Sequence, residues 1–373
     1  MKINEVLYLL RDDLENLPPS MSQVLTLCQT GHKVKVVTMC ASSYIRGFYK
    51  DQPVEFISLY KENHHKKSVF SKIRWLVEYR KLVRKALKNN PYDLLWIGSA
   101  DTARYCKDML MKPIAPVVLN IYELYDKNPE VIKAIKPIAQ NSTCVVVPEY
   151  NRAHILKVWL GLKKTPLVIP NKPCFPKVEM LPETGEIVDN LKKMNKKIVL
   201  YQGWIGKDRD VSKIARALNQ LDNNDEYALV LLGTVTSPDT ITKIQQIFEE
   251  TVHISFLKPP QHLFITELAN MGIATYDDSS LNNVFCAPNK IYEYAERNVP
   301  ILARDIPGLA STVGKYHAGV CVDMDNIDDV AKAIQKISDD RERYVDSLKA
   351  FLDECGVEQS IARIIQTCEG TIH

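Results

Sequence analysis

The sequence is poor in features that would take it into a membrane or onto nucleic acid. None of its 373 residues belongs to an uninterrupted run of about 18 apolar residues, the minimum for a membrane-spanning helix. The first five residues include Lys2 and Glu5, where a secretory signal would be apolar. Lysines and arginines number 48 against 45 aspartates and glutamates, which argues against a globally cationic nucleic-acid-binding protein. We therefore expect a cytoplasmic protein with no nucleic acid as its partner.

Patterns typical of structural metal sites and dinucleotide sites are also missing. The nine cysteines are scattered, with no Cys-x-x-Cys pair and no Cys/His pair at metal-binding spacing. This pattern predicts reduced, mostly buried thiols and no metal cofactor. The loop after the first predicted strand, residues 11–16, contains no glycine and so does not match a dinucleotide-binding fingerprint. We expect that loop to face an acceptor instead of a phosphate.

What the sequence does contain is a regular alternation of short β-branched runs and helical patterns. The runs are continuously apolar, which is typical of parallel strands that are covered on both faces. The strands predicted in the first half are Glu5–Leu10, Lys33–Thr38, Val54–Ser58, Leu94–Ile97, Val117–Ile121, Cys144–Val147 and Leu167–Ile169. This half is therefore predicted to be a doubly wound α/β domain.

A proline-rich stretch interrupts the alternation, and a second alternation follows it. The later predicted strands are Lys197–Gln202, Ala228–Leu232, His253–Phe256, Gly272–Thr275, Val299–Ala303 and Gly319–Val322. The predicted organisation is a Rossmann-like domain at 1–172, a linker at 173–196, a second Rossmann-like domain at 197–345, and a helical segment at 346–373 that could return to the first domain. Two such domains would face a central cleft, because ligands bind beyond the carboxyl ends of parallel strands.

The most informative segment is residues 287–303, in which a Pro-Asn loop, a short helix and an apolar strand follow one another. Asn289 precedes the helix, and Lys290 and Glu293 lie in its first turn. A helix N-terminus offers unpaired backbone N–H groups and a partial positive charge, which suit a phosphate. A carboxylate one turn into the helix could reach a ribose hydroxyl. The segment thus suits a nucleotide diphosphate, although a crossover helix capped by Pro and Asn would give the same pattern.

Residues 201–210 combine glycine with cations after the first strand of the second domain. Gly203 permits close approach of the backbone to a ligand, and Lys207 and Arg209 stand where a diphosphate would need positive charge. A βα turn with solvated charges is the alternative. Asp208 and Asp210 mimic an Asp-x-Asp metal motif, but an aspartate just before a helix is better explained as its cap.

Two further polar loops follow predicted strands. Residues 275–286 include Asn282 and Asn283, which could bind phosphate or sugar hydroxyls or could simply form turns. Residues 122–126 place Glu123 and Asp126 beside two tyrosines at a strand end of the first domain. Carboxylates in that position suit acid–base catalysis or recognition of sugar hydroxyls, whereas solvated loop charges are the alternative.

Residues 66–88 are predicted to form a basic helix with a single acidic residue, Glu78. The residues on it that could meet a membrane surface are Lys72, Arg74, Trp75, Lys81, Arg84 and Lys85. Of its apolar residues, Ile73 and Val77 are expected to face the core, and Tyr79 is expected on a second, outer strip. Cations beside exposed aromatic rings suit an anionic bilayer surface, and a solvated helix face is the alternative.

Together these segments resemble the GT-B glycosyltransferases, specifically the retaining family-4-like group. The likeness covers nearly the whole chain in outline. It is most specific in residues 289–303, which look like that group's P-x-K-hydrophobic-x-E-Y element with its following P-hydrophobic-hydrophobic-A. Residues 168–171 are similar to its interdomain I-P-N, and residues 122–126 to its Y-D-x-H-E segment. Residues 200–203 look like the start of its donor domain.

The resemblance implies that Glu293 binds the donor ribose and that Lys290 or Arg209 neutralises the diphosphate. In this group protein cations and amides, without a metal, stabilise the leaving diphosphate. The chain departs from the group's pattern at several positions. Phe285 stands where the first glutamate of an E-x7-E pattern would be, and Tyr125 stands in place of a histidine.

The resemblance therefore implies a retaining, hexosyltransferase-type enzyme that moves a sugar from a nucleotide-diphosphate donor to a hydroxyl acceptor. The first domain would lie on the acceptor side and the second would hold the donor. A lipid-linked acceptor, as in surface polysaccharide synthesis, would fit the basic helix and a place on the inner face of the cell membrane. A nucleotide-sugar epimerase of the same fold and a non-catalytic subunit of a membrane glycosyltransferase are the alternatives.

Overall fold

A computed structural model describes residues 2–61, 69–206, 209–237 and 239–371 of the chain. The chain divides into two compact units. The first unit is built from the chain up to Cys174 and again from Gly356 onward, and the second runs Phe175–Cys355.

The first unit contains a seven-stranded sheet in which every paired strand is parallel to its neighbour, in the order β3-β2-β1-β4-β5-β6-β7. Its strands are β1 Glu5–Leu9, β2 Lys33–Cys40, β3 Val54–Tyr60, β4 Leu94–Ile97, β5 Val117–Asn120, β6 Cys144–Val147 and β7 Leu167–Val168. Its helices are α1 Pro18–Gln29, α2 Ser43–Phe48, α3 Val69–Asn89, α4 Ala100–Tyr105, α5 Lys107–Leu110, α6 Pro129–Asn141, α7 Tyr150–Leu160 and the last helix, α17 Val357–Glu369.

The second unit repeats the same winding with six parallel strands in the order β10-β9-β8-β11-β12-β13. Its strands are β8 Lys197–Gln202, β9 Tyr227–Leu232, β10 Thr251–Ile254, β11 Met271–Ala274, β12 Ile301–Arg304 and β13 Gly319–Val322. Its helices are α8 Pro182–Lys193, α9 Ser212–Asn219, α10 Asp239–Ile247, α11 His262–Thr266, α12 Leu281–Val284, α13 Lys290–Glu296, α14 Pro307–Leu309, α15 Ile327–Asp339 and α16 Arg341–Glu354.

Helices cover both faces of the second sheet, which explains why its strands read as continuous apolar runs. In β8, Leu200 packs with Phe351 in the core on one face. Its neighbours Val199 and Tyr201 pack in the core on the other face. Because successive side chains point to opposite faces, both sets must be apolar. The prediction of two doubly wound parallel units is confirmed.

The segment 173–196, interpreted from its prolines as a linker, contains helix α8. Pro182 occupies the first turn of that helix, a position that tolerates the missing N–H group. Val188 and Leu191 are buried in the core of the second unit. Pro182 thus marks the start of a helix, and the segment from Phe175 onward belongs to the second unit.

The C-terminal segment, predicted as helical over 346–373, is divided between the units. Phe351 of α16 packs in the core of the second unit. Ile361 and Ile364 of α17 pack in the core of the first. The chain therefore returns to the first unit only after Cys355.

Helix α3 is rotated relative to the prediction. Ile73 and Val77, expected to face the core, are 56% and 47% exposed. Tyr79, expected on the second strip, is buried instead, whereas Val83 is buried as its place on the predicted core face requires. This helix carries apolar residues on more than one face, so their positions alone could not fix which face packs against the sheet.

Candidate functional site

Two glycines shape the carboxyl edge of the second sheet. Gly203 follows β8 with φ +124°, and Gly233 follows β9 with φ +148°. A side chain on Gly233 would place its Cβ 1.8 Å from the carbonyl oxygen of Gly203. Only glycine fits a backbone this close and in this conformation. The loops after β8 and β9 therefore run side by side where ligands bind in such sheets.

Helix α13 is fixed against the sheet beneath this edge by Tyr294. The Tyr294 hydroxyl lies 3.3 Å from the carbonyl oxygens of Leu200 and Ile273, and it accepts the backbone N–H of Gln202 at 3.3 Å. Gly272 makes room for the ring, since a Cβ there would lie 2.6 Å from it. This anchor determines where the neighbouring Glu293 side chain lies.

Glu293 is a buried carboxylate, 8% exposed, with two polar partners. The Nε2 amide of Gln202 donates a hydrogen bond to Glu293 Oε2. His262 Nε2 lies 3.5 Å from the same oxygen. A buried carboxylate is costly unless it is held by donors, so these partners explain how Glu293 is tolerated there.

Lys290, one turn earlier on α13, lies over aromatic rings. Its Nζ is 4.1 Å from the centroid of the Tyr201 ring and 5.8 Å from that of Tyr276. A Cβ on Gly203 would be 3.3 Å from Nζ, so the ammonium group lies beside the loop after β8. Arg209 stacks on the other aromatic residue, with its guanidinium carbon 3.9 Å from the Tyr276 centroid.

The surroundings of Lys290 lower the pKa of its ammonium group. Burial, and next the positive charge of Arg209, lower the pKa of Lys290 to about 7, against the opposing effect of Glu293. Two cations held close together repel each other, and an anion bound between them would relieve that repulsion. The arrangement therefore suits a diphosphate beside Lys290 and Arg209.

The N-terminus of helix α13 offers little to a bound phosphate beyond the side chains described above. It has seven residues, and the side chain of Asn289 makes no capping hydrogen bond at its N-terminus. The helix-dipole argument made from the sequence is therefore weak here, since a helix of two turns has few aligned peptide units. Lys207, the other predicted phosphate contact, lies outside the described residues.

The loop before α13 is organised by its own side chains. Asp277 Oδ1 accepts hydrogen bonds from the Ser279 hydroxyl at 2.8 Å and from the Asn283 amide. Ser280 Oγ accepts the backbone N–H of Asn283 at 3.2 Å and so caps α12. Asn283 thus has a structural role in this loop, while its neighbour Asn282 is half-buried.

Asp210, part of the apparent metal motif, acts at the start of α9. Its Oδ1 accepts hydrogen bonds from the backbone N–H of Ser212 at 3.0 Å and from the Ser212 hydroxyl at 2.6 Å. Asp210 thus holds the first residue of α9, although the N-cap position itself is occupied by Val211 and not by Asp210 as the sequence predicted. The other member of the motif, Asp208, lies outside the described residues.

In the first unit, Glu123 lies on the loop after β5. It is 51% exposed on its side chain, and its Oε2 lies 3.4 Å from the guanidinium of Arg152, which is 3% exposed. Arg152 also donates to the carbonyl oxygen of Tyr122 and so holds the loop. Tyr125 has φ 57°, the left-handed conformation that a tight turn requires. Asp126, the second predicted carboxylate, is half-buried.

A charged cluster at the same edge of the first sheet was only partly predicted. Arg11, in the loop after β1, forms ion pairs with Asp12 at 2.7 Å and with Asp101 of α4 at 3.2 Å. Burial, and next the charges of Asp101 and Glu123, raise the pKa of Tyr125. The sequence predicted only that the glycine-free loop after β1 would face an acceptor, and Asp101 had no sequence signal of its own.

The exposed face of α3 carries both apolar and basic residues. Arg74 pairs with Glu78 at 2.9 Å, and Arg84 lies 3.8 Å from Asp108. Lys81 and Lys85 are exposed, and Trp75 is half-buried with its ring centroid 5.9 Å from that of Tyr60. Lys72 is part of the same helix. Within the described ranges, no helix combines the length and apolar character needed to cross a membrane.

Part of the chain matches a known family model. Residues 183–350, which include Gly203, Lys290 and Glu293, match the family model described as glycosyl transferases group 1. No curated protein matches the chain in a sequence search.

Several solved structures resemble the whole chain. A glycosyltransferase from Rickettsia africae superposes with a TM-score of 0.70 at 11% identity, covering 99% of each chain. Sucrose-phosphate synthase from Thermosynechococcus elongatus gives 0.68 at 14% identity, covering 97% of this chain and 98% of that one. Anabaena HepE, solved in complex with UDP-glucose, gives 0.67 at 12% identity, covering 97% of this chain and 99% of that one. The fold is thus the GT-B fold.

Proposed function

We propose that this chain is a retaining glycosyltransferase that moves a sugar, of hexosyl type, from a nucleotide-diphosphate donor to a hydroxyl acceptor. The observation that carries the proposal is the pair Lys290 and Glu293 on one turn of α13. Lys290 is a cation beside a second cation, Arg209, and Glu293 is a buried, oriented carboxylate. The matched family model spans both residues, and UDP-glucose is the ligand named for HepE.

In this proposal the second unit binds the donor. Glu293 accepts a hydrogen bond from a ribose hydroxyl, and Lys290 and Arg209 neutralise the diphosphate. Further donor contacts would come from the backbone at Gly203 and from the side chains of Lys207, Asn282, Asn283 and Asn289. During transfer the bond from the sugar anomeric carbon to the diphosphate oxygen breaks, and its electron pair goes to the diphosphate. Because cations already aimed at that charge need no reorganisation, they lower the barrier without a metal.

The acceptor would be bound by the first unit. Glu123 is the first candidate for contact with the acceptor or the sugar, because it is half exposed and anchored on one oxygen by Arg152. Asp126 is the second. The acceptor hydroxyl forms the new bond to the anomeric carbon, and its proton passes to the diphosphate oxygen that the sugar has left.

Product analysis tests this function. The protein is incubated with UDP-, GDP-, ADP- and dTDP-sugars and a panel of hydroxyl acceptors, and both nucleotide and sugar are followed. We expect release of a nucleoside diphosphate with transfer of the sugar, abolished by Glu293→Ala and by Lys290→Ala. An epimerised sugar still attached to its nucleotide would instead identify an epimerase. Absence of any turnover or binding would identify a non-catalytic subunit. That alternative rests on Phe285, which stands where the group's pattern has a glutamate.

We further propose that α3 attaches the protein to an anionic membrane surface, where a lipid-linked acceptor for surface polysaccharide synthesis would lie. The exposed Ile73 and Val77 could enter the headgroup region, and the cations of the same face, including Lys81 and Arg84, would meet anionic lipid. This would make the protein peripheral on the cytoplasmic face of the membrane.

Vesicle sedimentation tests the membrane proposal. Each cation near an anionic surface contributes about 1 kcal/mol, so replacing Lys81, Arg84 and Lys85 with glutamine should weaken binding to phosphatidylglycerol vesicles on the order of a hundredfold. Replacing Lys133, Lys163 and Lys164, which are also exposed in the first unit, provides the matched control. Equal loss in both triple variants, or undiminished binding in the first, would contradict the proposal.

A further inference from the structure

Glu293 is held by a chain of buried polar groups that connects α11, β8 and α13. Thr266 is fully buried, and Gln202 is 5% exposed. The Thr266 hydroxyl donates to Gln202 Oε1 at 2.8 Å, with the carbonyl oxygen of His262 at 3.2 Å from the same hydroxyl. The amide of Gln202 in turn donates to Glu293. Buried polar groups arranged in this way rigidify a site when every member is satisfied.

The hydrogen-bond donors and acceptors of Thr266, Gln202 and Glu293 match in only one orientation of the Gln202 amide. An ionised carboxylate can only accept hydrogen bonds, so Gln202 must present its NH₂ group to Glu293. Its amide oxygen then faces the other way and needs a donor, which the Thr266 hydroxyl supplies. Without that donor the buried amide oxygen would be left unpaired, and Gln202 would no longer be held from the side opposite Glu293. Thr266 therefore fixes the position from which Gln202 donates to the carboxylate.

His262 completes the arrangement from the other side. Its Nε2 lies 3.5 Å from Glu293 Oε2, while its Nδ1 is buried and has no hydrogen-bond partner among the described residues. The Phe175 ring meets the imidazole edge to face, with centroids 5.6 Å apart. An unpaired N–H is costlier to bury than an unpaired acceptor, so the proton of the neutral ring belongs on Nε2. His262 then also directs an N–H group toward Glu293.

Both contacts use the same carboxylate oxygen. Gln202 and His262 meet Oε2, so within the described residues these two partners leave Oε1 to a ligand. The carboxylate plane is fixed by groups that make no contact with that ligand. Glu293 Oε1 is therefore held at one defined position, where it can accept a hydrogen bond from a ligand hydroxyl.

We propose that Thr266, Gln202 and His262 are positioning residues that make this site select a ribonucleotide over a deoxyribonucleotide. The inference rests on the proposed function, in which Glu293 meets the ribose. A carboxylate held by Oε2 presents Oε1 to one ribose hydroxyl with fixed geometry. A carboxylate free to turn would accept that hydrogen bond at a greater ordering cost, and it would discriminate less against a sugar lacking the hydroxyl.

The test measures discrimination, not affinity alone. Calorimetric titrations compare UDP, GDP and ADP with their 2′-deoxy and 3′-deoxy counterparts. For the base that binds, we expect the wild-type protein to prefer the ribonucleotide over at least one deoxy counterpart by roughly 10- to 100-fold, the range typical of a hydrogen bond to a charged group. Thr266→Val, which removes the donor at nearly constant volume, should reduce that preference to about threefold or less while leaving deoxynucleotide affinity within about twofold.

Two variants serve as controls. Thr266→Ser keeps the hydroxyl and should keep the preference. Thr184→Val makes the same chemical change at another fully buried threonine of the second unit, whose hydroxyl has no hydrogen-bond partner among the described residues, and it should change nothing. Gln202→Met provides a second way to release Glu293 and should act like Thr266→Val.

The outcomes separate the inference from the proposed function. Wild-type discrimination that persists in Thr266→Val and Gln202→Met would overturn the positioning role. Equal loss of ribo- and deoxynucleotide affinity in both variants would also overturn it, because it would indicate general damage to the site. Failure of the wild-type protein to bind any of these nucleotides would instead refute the proposed function.

Discussion

Replacing Lys290 with methionine is expected to weaken binding of a nucleotide-diphosphate sugar by roughly 30- to 1000-fold. Removing one partner of a desolvated charge pair costs on the order of 2–4 kcal/mol, because the other charge is left without its counter-ion. Methionine keeps most of the apolar stem that packs near Tyr201 and Tyr276. The loss should therefore come from the missing charge. Titration calorimetry at pH 7 measures it directly.

Although Lys290→Met should bind the donor more weakly, we expect it to be at least as stable as the wild-type protein. The pKa of Lys290 is lowered in the folded protein from its ordinary value of 10.5 to about 7, chiefly by burial. Below pH 7 the ammonium is charged in both the folded and unfolded states, so the folded state bears the full cost of holding that charge. Between pH 7 and 10.5 the folded state binds fewer protons and that cost diminishes as pH rises. Lys290→Met should therefore melt at or above the wild-type temperature at pH 6.

A control separates charge at this site from charge in general. Lys213 of α9 is a lysine of the same unit that pairs with Asp325. Lys213→Met should leave donor affinity within about twofold, since a partly exposed ion pair contributes little. Equal weakening by Lys213→Met and Lys290→Met would show that Lys290 has no special place in binding.

Donor affinity is also expected to depend steeply on pH. With its pKa at about 7, Lys290 is largely neutral at pH 8–9 in the free protein. A bound diphosphate raises that pKa, because a nearby negative charge favours the ammonium form. Binding above pH 7 must therefore take up a proton, and affinity should fall by up to about tenfold per pH unit between pH 7 and 9. Below pH 6 the dependence should be flat.

Calorimetry in two buffers of different ionisation enthalpy measures that proton directly. At pH 8 the wild-type protein should take up about one proton for each nucleotide sugar bound. Lys290→Arg should keep most of the affinity and lose the pH dependence, since an arginine stays charged throughout this range. A wild-type affinity that is flat from pH 6 to 9 would mean that Lys290 does not meet the diphosphate.

The strands were the most predictable part of the fold. The range for β8 agrees with the predicted run at both ends, and β4 and β6 do so as well. Strands covered on both faces need apolar residues at every position, and such runs stand out in a sequence. The predicted packing face of α3 was wrong, and the interpretation of residues 173–196 as a linker missed helix α8. Both errors concern features that depend on tertiary packing. Neither the exposed Ile73 nor the buried Tyr79 follows from hydrophobicity alone.

The candidate site was predictable only where its residues are close in sequence. Lys290 and Glu293 share one helical turn, so their spacing carried the signal. Gln202 and Thr266 reach the same place from 91 and 27 positions away, through contacts that only the folded chain creates. Gln202 offered a weak clue as the polar end of an apolar strand, whereas Thr266 offered none.

Hydrogen exchange in the presence of a binding nucleotide sugar tests the central claim most directly. Peptides covering the loop after β8, residues 200–206, and the start of α13, residues 286–296, should exchange more slowly when the donor is present. This protection should weaken in Lys290→Met at equal donor concentration. A nucleotide sugar that binds tightly and leaves both segments unprotected would contradict the account, because its site would then lie elsewhere.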